Sequence, residues 1–385
     1  MRWFRQPSPT LPWPGADPIV KPSTKKAALR SGATASAAAP ALIVLLTLAI
    51  AALGGALLDA VGMPAGWLCG AMLAVALATL CRVPVRVPDA LRDGTFIVLG
   101  TSMGSAVTPG TLHDATLWPL SLLILMVSVA ATMAAGSFYL RRIHGWDAAT
   151  ARLASVPGAL SAVLALATGT TANFPVVVLA QTLRQLLLVG LLPLALAFGG
   201  HAAPALAAPL SATAADMAIM LVAGAAGSLL LARLGVPGGR LVGAMLGSGV
   251  LHLLGWVSGR LDPTLMVAAF VMTGTVIGSR FAGTSPALLL HTVRPACIGT
   301  AIAVLLSFGF ALLCQRLLGF PFAEIWLAYA PGGVEAMTVM AFALDLDPSY
   351  VSAHHVVRLM ALTLLSPLWT WSITARRATA PLKQG

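Results

Sequence analysis

The sequence is poor in charge and poorest in acid: of 385 residues, 9% are Asp, Glu, Lys or Arg, and only 12 are acidic. A soluble domain carries roughly 25% charged residues, so this chain cannot cover a water-facing surface. Its apolar runs lack period-two alternation, which excludes a transmembrane β-barrel. Cys69, Cys81, Cys297 and Cys314 lack CxxC spacing. They therefore indicate neither a zinc site nor a disulfide framework and read as small core residues. There is no GxSxG, no Walker A and no Rossmann fingerprint after a strand. Histidines 113, 144, 201, 252 and 291 are dispersed, and His354 and His355 point to different faces of a helix. Without an i, i+4 histidine pair a metal enzyme is poorly supported, and no cofactor is expected. No short apolar stretch with a small-residue cleavage site precedes residue 41, so a secretory signal is not indicated.

What the chain has is apolar length. It is 58% hydrophobic, with a mean hydropathy of +0.91, and this predicts an all-α integral membrane protein. Apolar segments lie near 41–61, 64–81, 94–108, 117–140, 148–168 and 174–198, then near 214–233, 237–257, 264–279, 295–314, 322–344 and 350–373. The Gly-rich segments 94–108 and 264–279 are shorter than the roughly 20 residues of a straight span, and should be broken, tilted or packed inside the bundle. The net charge of +11 comes from basic residues placed singly or in pairs between segments, such as Arg82, Arg86 and Arg92, or Arg141 and Arg142. That spacing marks membrane borders and does not form the clustered basic face of a nucleic-acid binder. Residues 1–40, rich in Pro, Ser and basic side chains, read as a disordered cytoplasmic tail, with an organellar transit peptide as the alternative.

The chain is duplicated. Gly62–Leu73 matches Gly235–Leu246 at eight of twelve positions, and Phe96–Ser105 matches Phe270–Ser279 at five of ten. Pro157-Gly158 recurs as Pro331-Gly332, Arg184 as Arg358 and Pro193 as Pro367, each 174 residues on. The expected organisation is a tail to residue 40, repeat 1 over 41–200, a linker over 201–213, repeat 2 over 214–373 and a second cytoplasmic tail over 374–385. Each repeat holds five to six transmembrane segments, one of them a Pro-Gly-broken helix. If all six cross, the repeats are parallel, and Arg233, Arg240, Arg280 and Arg294 fall outside. If the Pro-Gly segment is re-entrant, the second half is inverted and those arginines fall inside, as the positive-inside rule favours. Both arrangements put the termini on the cytoplasmic side.

Three repeat-related features could carry chemistry. Gly66 and Gly70, with Gly239 and Gly243, have the spacing that lets helices approach closely, and serve packing or line a pathway. The breaks at Pro157-Gly158 and Pro331-Gly332-Gly333 free backbone groups that lipid cannot satisfy. A broken helix in each half of a duplicated membrane protein points to a binding site, and a half-helix N-terminus there favours an anion. Glu335 sits in the first turn after the second break; a structural kink with an acidic cap is the alternative. Arg184 and Arg358 lie within apolar segments, either as site residues or snorkelling to an interface. Gln181 at i−3 from Arg184, and His354 at i−4 from Arg358, are expected to share their faces. Arg358 is the expected opposite charge to Glu335, with Asp345 and Asp347 as further candidate partners, while Asp59, Asp93 and Asp216 read as boundary residues.

The duplicated Pro-x-Gly-x-Leu-x-Gly-Ala-Met block, the Ala-Pro-Gly-Gly-Val-Glu-Ala-Met run and His-x-x-x-Arg followed by Pro resemble the AbrB-duplication membrane proteins over about residues 41–375. Members of that family are labelled membrane AbrB family regulators or ammonia monooxygenases. The resemblance implies a part in regulating gene expression, which without DNA contact would have to be indirect. The first half departs from the motif, with Ala159 and Ser161 where the second has Gly333 and Glu335, so a site would be asymmetric. The expectation is an inner-membrane secondary transporter or exchanger of a small solute, an anion on the half-helix reading. A sensor or regulator without transport and a membrane-bound monooxygenase are the competing readings. The lipid bilayer and a small solute are the expected partners, with a homodimer admitted and no direct nucleic acid.

Overall fold

A computed structural model of the chain describes residues 38–107, 115–158, 170–198 and 212–366. The expected tails beyond this, most of the linker, and Ala159, Ser161 and Pro367 lie outside the described residues. The described residues from Pro40 onward form one compact unit, helical and without strands. The first half contributes α1 (Ala38–Ala60), α2 (Gly66–Leu80), α3 (Asp89–Gly104), α4 (Trp118–His144), α5 (Ala148–Ser155) and α6 (Phe174–Phe198). The second contributes α7 (Ala214–Arg233), α8 (Gly239–Leu253), α9 (Pro263–Gly278) and α10 (Pro286–Leu318), then α11 (Phe322–Tyr329), α12 (Val334–Ala343) and α13 (Pro348–Leu364). A short 3-10 turn, Ser279–Phe281, follows α9.

Local chemistry explains several starts. Asp147 accepts from Ala149 and Thr150 N–H at α5, Thr213 from Asp216 at α7, Asp262 from Thr264 at α9 and Asp347 from Ser349 at α13. Each side chain satisfies donors that the first helical turn leaves orphaned. Asp347, expected beside Arg358, is thus the cap of α13.

Among the described residues, six helices are long and apolar enough to cross a membrane: α1, α4, α6, α7, α9 and α10. The apolar windows of α6 and α9 are 67% and 56% buried, against 17% for α7 and 22% for α1. The first pair is therefore internal and the second peripheral. Leu42, Leu45 and Leu53 of α1, Val222 of α7 and Leu305 of α10 are exposed, as lipid-facing side chains should be.

The halves interlock, because α3 of the first packs on α8 of the second while α9 packs on α2. A Cβ on Gly100 would collide with the Leu241 carbonyl, and one on the matching Gly274 with the Leu68 carbonyl. These helices touch backbone to backbone, as small residues permit. The short segments expected near 94–108 and 264–279 are therefore the internal helices α3 and α9. Pro193 sits inside α6, where its missing N–H frees the Val189 carbonyl. Buried Cys69 answers that carbonyl with a thiol hydrogen bond of 3.1 Å.

Segment 322–344 is interrupted as expected, with α11 ending at Tyr329 and α12 starting at Val334. In the first half α5 ends at Ser155, and Val156, Pro157 and Gly158 follow in non-helical backbone.

Candidate functional site

Each break is held by the arginine of its own half. Arg184 donates from Nη1 to the Ala154 carbonyl (3.1 Å) and from Nη2 to the Val156 carbonyl (2.9 Å). Arg358 donates from Nη1 to Ala330 (2.8 Å) and from Nη2 to Gly332 (2.6 Å). The carbonyls at the end of a helix lack intrahelical donors and carry the negative pole of its dipole. A guanidinium fork satisfies two of them at once. Neither arginine snorkels, since Arg184 is 7% and Arg358 0% exposed. The cations stay among the carbonyls.

The helper residue is also duplicated. Gln181 donates to the Leu153 carbonyl (2.9 Å) and accepts from Arg184 (3.2 Å). In the second half the role falls to His355, whose Nε2 bonds the Leu327 carbonyl at 3.1 Å and whose Nδ1 accepts from Arg358 at 2.7 Å. A carbonyl can only accept, and Arg358 can only donate. His355 is therefore neutral with its proton on Nε2.

His354, expected on the face of Arg358, turns elsewhere. Its Nδ1 donates to the Tyr350 carbonyl (2.8 Å), which leaves Nε2 of the neutral ring to accept from Ser121 Oγ (2.9 Å). The Tyr350 hydroxyl lies 2.6 Å from Ser121 Oγ, and Tyr329 donates to the Ser121 carbonyl at 2.5 Å. This closed network ties α4 to α11 and α13. Adjacent histidines face opposite ways, so the residue one place along, His355, meets the arginine.

The breaks also reach across the molecule. Gln185, beside Arg184, accepts the Gly333 N–H at 3.1 Å, fixing the start of α12. At the matching place in the second half Leu359 lies against Gly158.

Gly158 and Gly333 border one cavity of about 570 Å³, a size suited to a small molecule. Four arginines line it: Arg92 of α3, Arg184 of α6, Arg240 of α8 and Arg280 of the 3-10 turn. Two carboxylates join them, Asp93 and Glu335. Asp93 bridges the halves, contacting Arg92 at 3.1 Å and Arg240 at 3.0 Å. Glu335 stands in the first turn of α12 and lines the cavity together with Arg280. With four cations against two anions, the lining is net positive.

Of the residues picked out in the sequence, Gln181, Arg184, Gly158, Gly333 and Glu335 line this cavity. Pro157, Pro331 and Gly332 shape the breaks around it. Arg358 and His354 are enclosed in protein, and the expected pairing of Arg358 with Glu335 gives way to carbonyl contacts. Asp93, read as a boundary residue, is in the cavity, as are Gln185, Arg92, Arg240 and Arg280. Three of these arginines sit at helix ends in the sequence, where border charges are usual, and nothing in their spacing showed that they converge. Among the described residues no three His, Cys, Asp or Glu side chains come together as a metal-binding group.

Comparison with known proteins finds distant relatives. "Uncharacterized protein YhjN" of Bacillus subtilis (strain 168) is 27% identical over 356 residues, covering 84% of this chain and 91% of its own. "Putative regulator AbrB" of Escherichia coli (strain K12) is 27% identical over 323 residues, covering 80% and 90%. The family model described as "Transition state regulatory protein AbrB" matches residues 67–373. That span takes in both breaks, both buried arginines and the entire cavity lining, and the chain belongs to the AbrB family.

Proposed function

We propose that the protein is a secondary transporter or exchanger of a small anionic solute, with the cavity between the two breaks as its substrate site. The observation that carries this reading is the convergence of both breaks on one net-positive cavity. Broken helices at the interface of two repeats are how many transporters build a central site.

The lining also supports inverted repeats. Arg92, Asp93 and Phe96, from the start of α3, share the cavity with Val276, Ile277 and Arg280, from the end of α9 and just beyond. Opposite ends of the repeat-equivalent helices α3 and α9 thus face the site, as inverted repeats would place them. On that arrangement the loops carrying Arg82, Arg86 and Arg233 lie on the cytoplasmic side of a cell whose inner membrane the protein spans, close in sequence to Val87, Ala232 and Val236 of the lining. The regulatory name of the Escherichia coli relative favours a second reading, a sensor that binds the solute without moving it. A transporter could equally influence gene expression by changing the level of its solute.

Uptake or counterflow of labelled sulfate and small carboxylates in proteoliposomes tests the proposal. Flux of at least one anion, abolished by Arg280→Gln, is expected. Anion binding without flux would establish the sensor and end the transport reading.

A further inference from the structure

Resting on the anion-site reading above, we propose that Glu335 and the solute compete for the same positive field, so that anion binding at this site takes up a proton. The field has two sources. One is Arg280, which lines the same cavity as Glu335. The other is the N-terminus of α12, whose first turn carries Glu335 and which favours negative charge. An oxyanion entering a cavity of about 570 Å³ to reach Arg280 shares that cavity with this carboxylate. Two like charges confined to one small cavity disfavour each other's ionised form. The entering anion keeps its charge because it brings its own hydrogen-bond acceptors to a guanidinium made for them. Glu335 then gains the proton: its carboxylate takes H+ from solvent water and becomes a neutral carboxylic acid, and no other bond changes. Departure of the anion returns the proton to water. Anion and proton are thereby bound and released together, which couples solute movement to a proton gradient.

The other charged groups facing Glu335 do not offer this switch. Asp93 is clamped between Arg92 and Arg240 at 3.1 and 3.0 Å, and protonation would loosen both contacts. Arg184 is spent on the carbonyls of Ala154 and Val156. On α13, packed against α12, Arg358 and His355 are engaged with the second break and with each other, and His354 with Ser121. On α11, Tyr329 donates to the Ser121 carbonyl, and Glu324 lies at the far end of the helix, in its first turn. Of the two carboxylates in the cavity, only Glu335 is left to respond.

Isothermal titration calorimetry of the full-length protein in detergent, in buffers of different ionisation enthalpy, counts the protons. Sulfate and succinate serve as probes, and their arms separate an inorganic from a carboxylate anion. The wild type should take up about one proton per anion, its affinity falling about tenfold per pH unit on the alkaline side. Glu335→Gln should bind with no proton uptake and a flat pH profile. Binding by the wild type without proton uptake overturns the inference and leaves the anion site standing, and that count decides even if the variant fails to fold. Uptake that persists in Glu335→Gln also overturns it. Failure of both probes to bind removes the anion-site reading and this inference with it.

Discussion

Replacing Arg358 by Met tests whether the buried guanidinium holds the second break in place. The change removes the fork that serves the Ala330 and Gly332 carbonyls at 2.8 and 2.6 Å. Each orphaned buried carbonyl costs about 1–3 kcal/mol. Removing an enclosed cation also relieves a desolvation penalty of several kcal/mol. The two effects oppose one another, so the overall unfolding temperature is a poor reporter. The local opening of the break has no such compensation, because the fork ties its backbone directly to α13. Losing one charge-assisted bond worth about 1.5–3 kcal/mol should speed local opening about 10- to 150-fold. Hydrogen–deuterium exchange followed by mass spectrometry on peptides spanning Ala330 to Met337 reads this. The Gly333 N–H, now held by Gln185, is expected to lose protection most clearly. Arg358→Lys, which keeps the charge but not the fork, should fall between Met and wild type. Wild-type protection in Arg358→Met would refute the role assigned to the guanidinium.

Gln185→Leu gives the first half the side chain found at Leu359 and leaves the Gly333 N–H without its acceptor, a loss of about 1–3 kcal/mol. Thermal unfolding in detergent should shift downward, and an unchanged midpoint would mean that water or another group takes over. A cysteine introduced at Gly259, between α8 and α9, reports topology in intact cells. The inverted arrangement predicts labelling from the periplasmic side, whereas accessibility only from the cytoplasm would support six crossings per half. Substitution of Gly274 by Val should abolish recovery of monodisperse protein, because the added carbons meet the Leu68 carbonyl; normal recovery would contradict the close packing of α9 on α2.

Much of this architecture was legible in the sequence for definite physical reasons. Apolar length identified the membrane helices, and proline and glycine identified the breaks, because both residues act on the backbone within one turn. The constant offset identified Arg184 and Arg358 as counterparts. What stayed hidden were contacts made across the bundle. Helical spacing put His354 beside Arg358, yet i−3 and i−4 are both neighbours on a helix. The carbonyl of Leu327 determined which ring was used. Arg280, Arg240 and Arg92 looked like border charges because they are at helix ends; only the interlocking of α3 with α8 and α9 with α2 brings them to one cavity. Asp93, at the start of α3, reaches the cavity for the same reason. The pairing of Arg358 with Glu335 failed because carbonyls freed by the break were nearer ligands than a carboxylate on the other side of it.

The cavity between the breaks is proposed to accept an anion and pass it through the membrane. Current recording from proteoliposomes on a solid-supported membrane tests this most directly, with pulses of sulfate, small carboxylates and size-matched organic cations. A transient current with at least one anion, no response to the cations, and loss of the current in Arg280→Gln are expected. A response to cations that survives Arg280→Gln, with none to any anion, would contradict it.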